Sequence, residues 1–429
     1  MMKGQGQVTP TSIPFRPGWS QTLCALRHRN FKLYWFGQLV SMSGTWMQIV
    51  AMNWLVYRMT NSPFILGLVN FIALLPVGLI SPVAGVISDR VPRRSLILVA
   101  QIILTLQALV LALLTWTDVV QLWHIMLVIL VAGTANAIEQ SARFAFLMDI
   151  VGRKDFSNAV GLNAGGVHLA RCMGPAMGGL LIGWRGEASC FFLNFLTYLA
   201  FLLAILLMQL PSRDAPTKPI RLKKDLLDGL RYIWNHQTIK GLLLMFAVAA
   251  IFSRPFVVLM PVFARDVLLT DSGGYGLLMG AVGVGAVCGA LLGASIKQGY
   301  RWKWLLGAAF AFPMLLLPFT CSRWMPLSLG LLVLISASDF LQNILAISLL
   351  QLAASDEFQG RVASFLSLFR DGLRRLGSIQ AGAAAQYWSA PIAVAGGALV
   401  SLVWMFIVVW RIPFIKGLSQ TETRMSQLY

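Results

Sequence analysis

The sequence predicts an all-α polytopic membrane protein: twelve transmembrane helices as two pseudo-symmetric six-helix bundles around a central cavity. Three observations predict it. The 429 residues are 57% hydrophobic and only 12% charged, with a mean hydropathy of +0.73, whereas a soluble domain carries about 25% charged residues. Twelve apolar stretches, each near the ~20 residues that cross a bilayer, fall as six, a polar break and six. The 34 basic residues alternate along that count: 24 lie in the tails and even-numbered connections, four in the odd-numbered ones and six inside spans. That asymmetry places both termini in the cytoplasm. It also explains the net charge of +18 without a nucleic-acid partner.

The elements follow in order. Residues 1–30 are polar, carry Pro10, Pro14 and Pro17, and lack the apolar core of a signal peptide; they read as a cytoplasmic tail. Spans at about 33–57, 63–87, 95–116, 121–146, 158–183 and 189–210 make up the first half, 31–210. In the linker, 211–239, Leu226, Leu227, Leu230, Ile233 and Trp234 recur at helical spacing, with Lys223, Lys224 and Arg231 off that stripe. This predicts a short amphipathic helix on the inner membrane surface. Spans at about 240–263, 274–296, 303–321, 326–352, 363–387 and 391–413 make up the second half, 240–414, before a tail at 415–429. Trp116, Trp123, Trp184, Trp324 and Trp388 fall near span ends, as an aromatic belt does.

An internal repeat supports two halves. Arg171-x-x-Gly174-x-x-x-x-Gly179 in the fifth span matches Arg374-x-x-Gly377-x-x-x-x-Gly382 in the eleventh. Duplicated six-helix units give such an offset. The five cysteines and four histidines are dispersed, so no disulfide framework or metal site is legible. No nucleotide-binding G-x-x-x-x-G-K-[ST] loop is present, and no cofactor is expected.

The loop after the second span reads Gly85-Val-Ile-Ser-Asp89-Arg90-Val-Pro92-Arg93-Arg94. It resembles the G-x-x-x-D-R-x-G-R-R signature of the major facilitator superfamily, with Pro92 in place of the second glycine. The fifth span carries Gly161, Ala170 and Gly174-Pro175-Ala-Met-Gly178-Gly179, similar to the superfamily's antiporter motif with Ala170 for one glycine. Stretches around Ala142-Arg143, Asn158–Asn163, Leu169–Gly179, Asp228–Tyr232, Pro261–Val267 and Gly274–Leu278 resemble the branch that contains bacterial enterobactin exporters. Around Arg374-Arg375 the chain departs from that branch, which usually has an apolar residue and proline there. The resemblance implies a secondary carrier working by alternating access, and the fifth-span motif tilts its direction outward.

Physical reasons stand beside the motifs. Gly85 lets helices approach closely. Asp89 can complement a helix N-terminus, and Arg90, Arg93 and Arg94 can pair with acids such as Asp149; together these six residues are the expected conformational gate. Gly161, Gly174, Pro175, Gly178 and Gly179 are the expected packing seam. Charges inside spans are costly and mark function. Asp339 and Glu139 are the expected proton carriers, although Glu139 and Arg143 also form an i, i+4 pair and Asp339 can pair with Arg254. Arg254, Arg171, Arg374 and Arg370, with Gln48 and Asn53, are the expected substrate contacts. The six intramembrane arginines outnumber Glu139, Asp339 and Asp371 by three, which favours anions.

The expected function is proton-coupled export of a small metabolite, anionic by this charge balance and of siderophore type. The alternatives are a multidrug efflux pump of the same fold, an importer, and a membrane enzyme or channel. Neither of the last two has a legible catalytic cluster or filter. The expected partners are a small-molecule substrate, protons and the lipid bilayer, with no nucleic acid and the monomer as working unit. The expected location is the bacterial plasma membrane.

Overall fold

The computed structural model describes residues 24–76, 80, 91–209, 230–297, 299–355, 358, 362, 365, 366, 369 and 372–411. The described residues are helical or in short connections. The helices are α1 (Arg29–Thr60), α2 (Pro63–Ile72), α3 (Arg93–Trp116), α4 (Leu122–Arg185), α5 (Glu187–Leu206), α6 (Gln237–Val267), α7 (Ser272–Ser295), α8 (Arg301–Cys321), α9 (Met325–Ala353), α10 (Leu373–Tyr387) and α11 (Ala390–Arg411). Most of their limits fall within about five residues of the apolar stretches, whereas the stretches expected at 63–87 and 363–387 lie partly outside the described residues and the connection expected at 147–157 is helical. Among the described residues, eight helical segments are long and apolar enough to cross a membrane, as in a multi-pass membrane protein.

Two features of the chain path are not simple rods. α4 is two arms, 122–151 and 153–185, joined at Gly152, whose φ of 73° and ψ of 175° are outside helical geometry. Glycine takes that conformation without steric cost. α6 changes winding along its length: a π turn at Ala249–Ser253, a 3₁₀ turn at Arg254–Val257, one α turn, and a second π turn at Phe263–Val267. Pro255 and Pro261 lie inside it and remove backbone donors.

Local caps fix the helix starts and stops. Ser62 accepts the Ile65 amide and Pro63 opens α2, the preferred start chemistry. Asp271 accepts the Gly273 and Gly274 amides at 3.0 and 3.1 Å to begin α7. Asn61 ends α1 in a left-handed conformation.

Within the first half, α1 packs on α4 and α5, and α3 on α4 and α5. In the second, α9 packs on α7 and α8, and α11 on α8, α10 and α6. Among the described residues, α4 packs on α7, α2 on α10 and the Met260–Val262 turn of α6 on α1 across the two halves. The apolar clusters divide in the same way. The largest joins both halves, with Val50, Leu55, Tyr57, Phe256, Met260 and Tyr275 among its members. Two others belong to one half each, around Phe31, Phe146 and Phe201, and around Phe246, Leu345 and Leu350. The halves are thus joined at the end where α1 finishes, here the sealed end. At the opposite end each half has its own core. Trp116, Trp123, Trp184, Trp324 and Trp388 are all exposed and all lie on helix ends at the sealed end.

Candidate functional site

The site begins at the winding change in α6. Arg254 stands where the first π turn passes into the 3₁₀ turn. Its Nε donates to Asp339 Oδ1 of α9 at 2.8 Å, and its guanidinium lies 4.7 Å over the Phe246 ring. Arg254 is only 6% exposed, and its Nη1 and Nη2 have no hydrogen-bond partner. The Asp339 side chain is 24% exposed, so the carboxylate, not the guanidinium, is the outward member. α9 continues the polar face with Ser336, Gln342 and Asn343, each buried with an unpartnered oxygen.

A second pair sits in the first half. Glu139 accepts from Arg143 at 2.6 Å, one turn on in α4, and from Gln101 of α3 at 2.8 Å. Tyr34 and Gln38 of α1 are buried with unpartnered polar atoms. Gln101 and Gln38 were not among the residues expected from the sequence. A lone amide in an apolar stretch carries no signal of its partner on another helix.

Arg171 lies 4.8 Å over the Trp46 ring of α1. Close by, the rings of His168 and Phe340 stand 6.3 Å apart across the halves, which brings α4 beside the residue after Asp339. Arg374 is half-buried on α10, and its neighbour Arg375 donates to the Ala73 carbonyl near α2. Gln48 bonds Gln107 at 3.3 Å and Asn194 at 2.5 Å, and Asn53 bonds Asn70 at 2.9 Å. Both amides are therefore engaged within the first half. Arg370 and Asp371 lie outside the described residues.

The gate residues divide likewise. Gly85, Asp89 and Arg90 are outside the described residues. Arg93 Nη1 reaches both oxygens of Asp149, at 3.0 and 2.8 Å. Arg94 instead donates to the Ile205 and Leu206 carbonyls at 3.1 and 3.0 Å, capping α5, where a cation complements the helix terminus.

The sealed end has its own polar latch, which sequence reasoning missed. Tyr57 donates its hydroxyl to Asp266. Arg265 donates to Asn61 at 2.5 Å, and Ser62 to Gln386 at 2.9 Å. Tyr275 donates to the Val50 carbonyl at 3.2 Å and stacks on Trp54 with centroids 5.2 Å apart. A cavity of about 420 Å³ lies over this latch, lined by Tyr57, Asp266, Arg323 and Gln386. Beneath it run the glycine contacts. Gly174 and Gly178 press on α1, and Gly179 on Gly276 of α7. The repeat mates do the equivalent: Gly377 presses on α6 and Gly382 on Gly67 of α2. Pro175 lies within α4, whereas a Cβ on Gly161 would meet nothing within 4 Å.

The arrangement places one acid–arginine pair in each half, apart from the end where the two halves pack together. A family model described as a transmembrane secretion effector matches residues 20–427. The staphyloferrin A transporter of Staphylococcus aureus is 24% identical over 61% of this chain and 66% of its own length. The chain thus spans just under two thirds of that relative. The multidrug efflux pump Tap of Mycolicibacterium fortuitum is 24% identical over 81% of this chain and 87% of its own. The enterobactin exporter EntS of Shigella flexneri is 27% identical over 67% of this chain and 68% of its own. Among solved structures, an inward-facing, unoccupied bacterial homologue of the lysosomal transporter Spinster aligns with a TM-score of 0.65 at 15% identity. That alignment covers 95% of this chain and 99% of the other. The chain belongs to the transmembrane secretion effector family, and with it to the major facilitator superfamily of membrane transporters.

Proposed function

We propose that the protein exports a small organic anion of siderophore type from the bacterial cytoplasm, exchanging it for protons by alternating access. It acts as a monomer of twelve spans in the plasma membrane, with both termini inside. Its two six-helix halves are 31–210 and 240–414, joined by the linker 211–239. The sealed end then faces outward, and the structure corresponds to the inward-open state. The observation that carries this reading is Arg254: a buried guanidinium at mid-depth with two unpartnered nitrogens is built to receive an anion.

Roles follow from position. Arg254 and Arg171, with Arg374 and Arg370, supply positive charge to the cavity. Asp339 and Glu139 take up protons, each beside an arginine that would otherwise lack a counter-charge. Arg93 and Asp149, with Gly85, Asp89, Arg90 and Arg94, form the inner gate. Relatives that bear siderophore-transporter names support the anionic cargo. A second reading, efflux of lipophilic cations, is favoured by the similarity to Tap over 81% of the chain and by Asp339 being the more exposed partner.

Proteoliposomes with an imposed pH gradient test the coupling. Extracts of low-iron cells supply the cargo, and mass spectrometry reads it. The expected result is gradient-driven movement that Asp339→Asn and Glu139→Gln each reduce at least tenfold. Full gradient-driven movement in both variants contradicts the proton assignment.

A further inference from the structure

We propose that the cavity over the latch is a second ligand site. It takes a small zwitterion with an apolar side chain, of the α-amino acid class, and the ligand holds the sealed end shut. The inference is independent of the cargo and of the direction of transport. The cavity, about 420 Å³, has the size of a small-molecule site. Its apolar wall includes Pro63, Val262, Ala385 and Ala390, all buried. Its polar wall holds one acid, Asp266, and one base, Arg323.

These opposite charges share the cavity without meeting. Among the described residues they form no ion pair with each other. Each is held by partners of its own. Tyr57 donates to Asp266 Oδ2, and Arg323 Nη1 donates to the Thr320 and Ser322 carbonyls at 3.0 and 3.1 Å. These partners are neutral, so they cancel neither charge. Asp266 Oδ1 and the other guanidinium nitrogens of Arg323 have no protein partner among the described residues. The two lining amides have spent their oxygens: Asn61 Oδ1 accepts from Arg265 and Gln386 Oε1 from Ser62. Their N–H groups are left as donors.

A simple anion in this cavity meets the repulsion of Asp266, and a simple cation that of Arg323. A zwitterion meets neither. Its ammonium pairs with Asp266, its carboxylate with the Arg323 fork and the amide donors, and its side chain with the apolar wall. Tyr57, Asn61 and Pro63 come from the first half, and Asp266, Arg323 and Gln386 from the second. The complete site therefore exists only while the halves are closed at this end, and a ligand that binds one conformer better shifts the population toward it. Ser389, also in the wall, has a φ of 128°, a strained conformation of the kind found at ligand clamps.

The experiment titrates the purified full chain in detergent at neutral pH and reads binding by ligand-observed NMR. It uses three probes of one shape: L-leucine; 4-methylpentanoate, which lacks the ammonium; and 3-methylbutylamine, which lacks the carboxylate. Leucine is expected to bind about tenfold more tightly than either. Arg323→Gln, which leaves the latch bonds in place, is expected to bring leucine down to the level of the amine. Leucine should also narrow the distance distribution between spin labels at Met59→Cys and Leu269→Cys. Equal binding of leucine and either single-charge probe overturns the zwitterion. Leucine binding undiminished in Arg323→Gln puts the ligand elsewhere and overturns the site, as does absence of leucine binding by folded wild type. A distribution that leucine leaves unchanged or widens overturns its hold on the sealed end.

Discussion

Gly179 of α4 and Gly276 of α7 meet backbone to backbone, so a methyl on either would overlap the main chain of the other. Gly382 of α10, the repeat mate of Gly179, meets Gly67 of α2 in the same manner. Two glycine seams thus flank the latch and close the sealed end. Overpacking such a contact costs about 1–3 kcal/mol. Gly179→Ala and Gly382→Ala should each pry the sealed end open. Spin labels at Met59→Cys and Leu269→Cys, both exposed at that end, should report a longer and broader distance in either variant. An unchanged distribution would show that the seams do not set the closure.

Tyr57→Phe should shift the same equilibrium by a different route. It deletes a hydrogen bond to the Asp266 carboxylate and leaves the shape of the seam intact. Hydrogen bonds to charged groups contribute about 1.5–3 kcal/mol, enough to change the ratio of conformers at least tenfold. The label pair should show a second, longer population. A single population at the wild-type distance would reduce Tyr57 to a bystander.

Glu139 and Arg143 should behave as a buried pair in stability measurements. Glu139→Gln leaves Arg143 without its counter-charge, and breaking such a pair costs about 3–5 kcal/mol. Removing both charges, as Glu139→Gln with Arg143→Met, should recover most of the loss. Thermal unfolding in detergent reads both. A double variant as unstable as the single one would mean that the cost is not electrostatic.

Arg93 and Asp149 should couple weakly. Each side chain is 21% exposed, and ion pairs open to solvent contribute about 0–1 kcal/mol. A double-mutant cycle with Arg93→Gln and Asp149→Asn should return a coupling near the upper end of that range, helped by the two-oxygen geometry. A coupling above about 3 kcal/mol would place the pair in a drier setting than its exposure indicates.

Asp155 ties the chain before α1 to the second arm of α4. The His28 ring, hydrogen-bonded at 2.7 Å, holds its carboxyl below the usual carboxylate range, and the Cys24 thiol adds to the effect. A carboxyl lowered in the folded state stabilises it fully above the unfolded value of about 3.9. The contribution disappears as pH falls through the lower folded value. Hydrogen exchange at 24–30 should therefore remain slow at about pH 5 and quicken near pH 3. Asp155→Asn should raise maleimide labelling of Cys24 several-fold at neutral pH. Labelling equal to wild type would show that the contact does not hold the turn.

Much of this was legible in the sequence because it rests on local signals. Apolar runs have the length of a bilayer, so the limits of the long helices among the described residues fall within about five residues of those expected. The repeat Arg171–Gly179 and Arg374–Gly382 pointed to two duplicated halves, and the glycines of both press on neighbouring helices. Arg254 with Asp339 was legible because a buried charge demands a partner and few were available, and Arg93 with Asp149 because that acid stands at the inner end of its span beside the basic loop. The latch was not. Tyr57 and Asp266 are 209 residues apart, and neither stands out among residues at a span end. Nor were the π turns of α6, whose sequence keeps the apolar pattern of a regular helix. Arg94 belongs to the gate motif, but the contact of its guanidinium with the end of α5 was not legible, because it depends on where another helix ends.

Export of an anionic metabolite is the central claim. Its most direct test compares spent medium and cell extracts of deletion and complemented strains grown in low iron, by untargeted mass spectrometry. An anionic chelator is expected to be lost from the medium and to accumulate inside when the gene is absent. No difference in any anionic metabolite, together with raised sensitivity to lipophilic cations, would contradict it and establish drug efflux in its place.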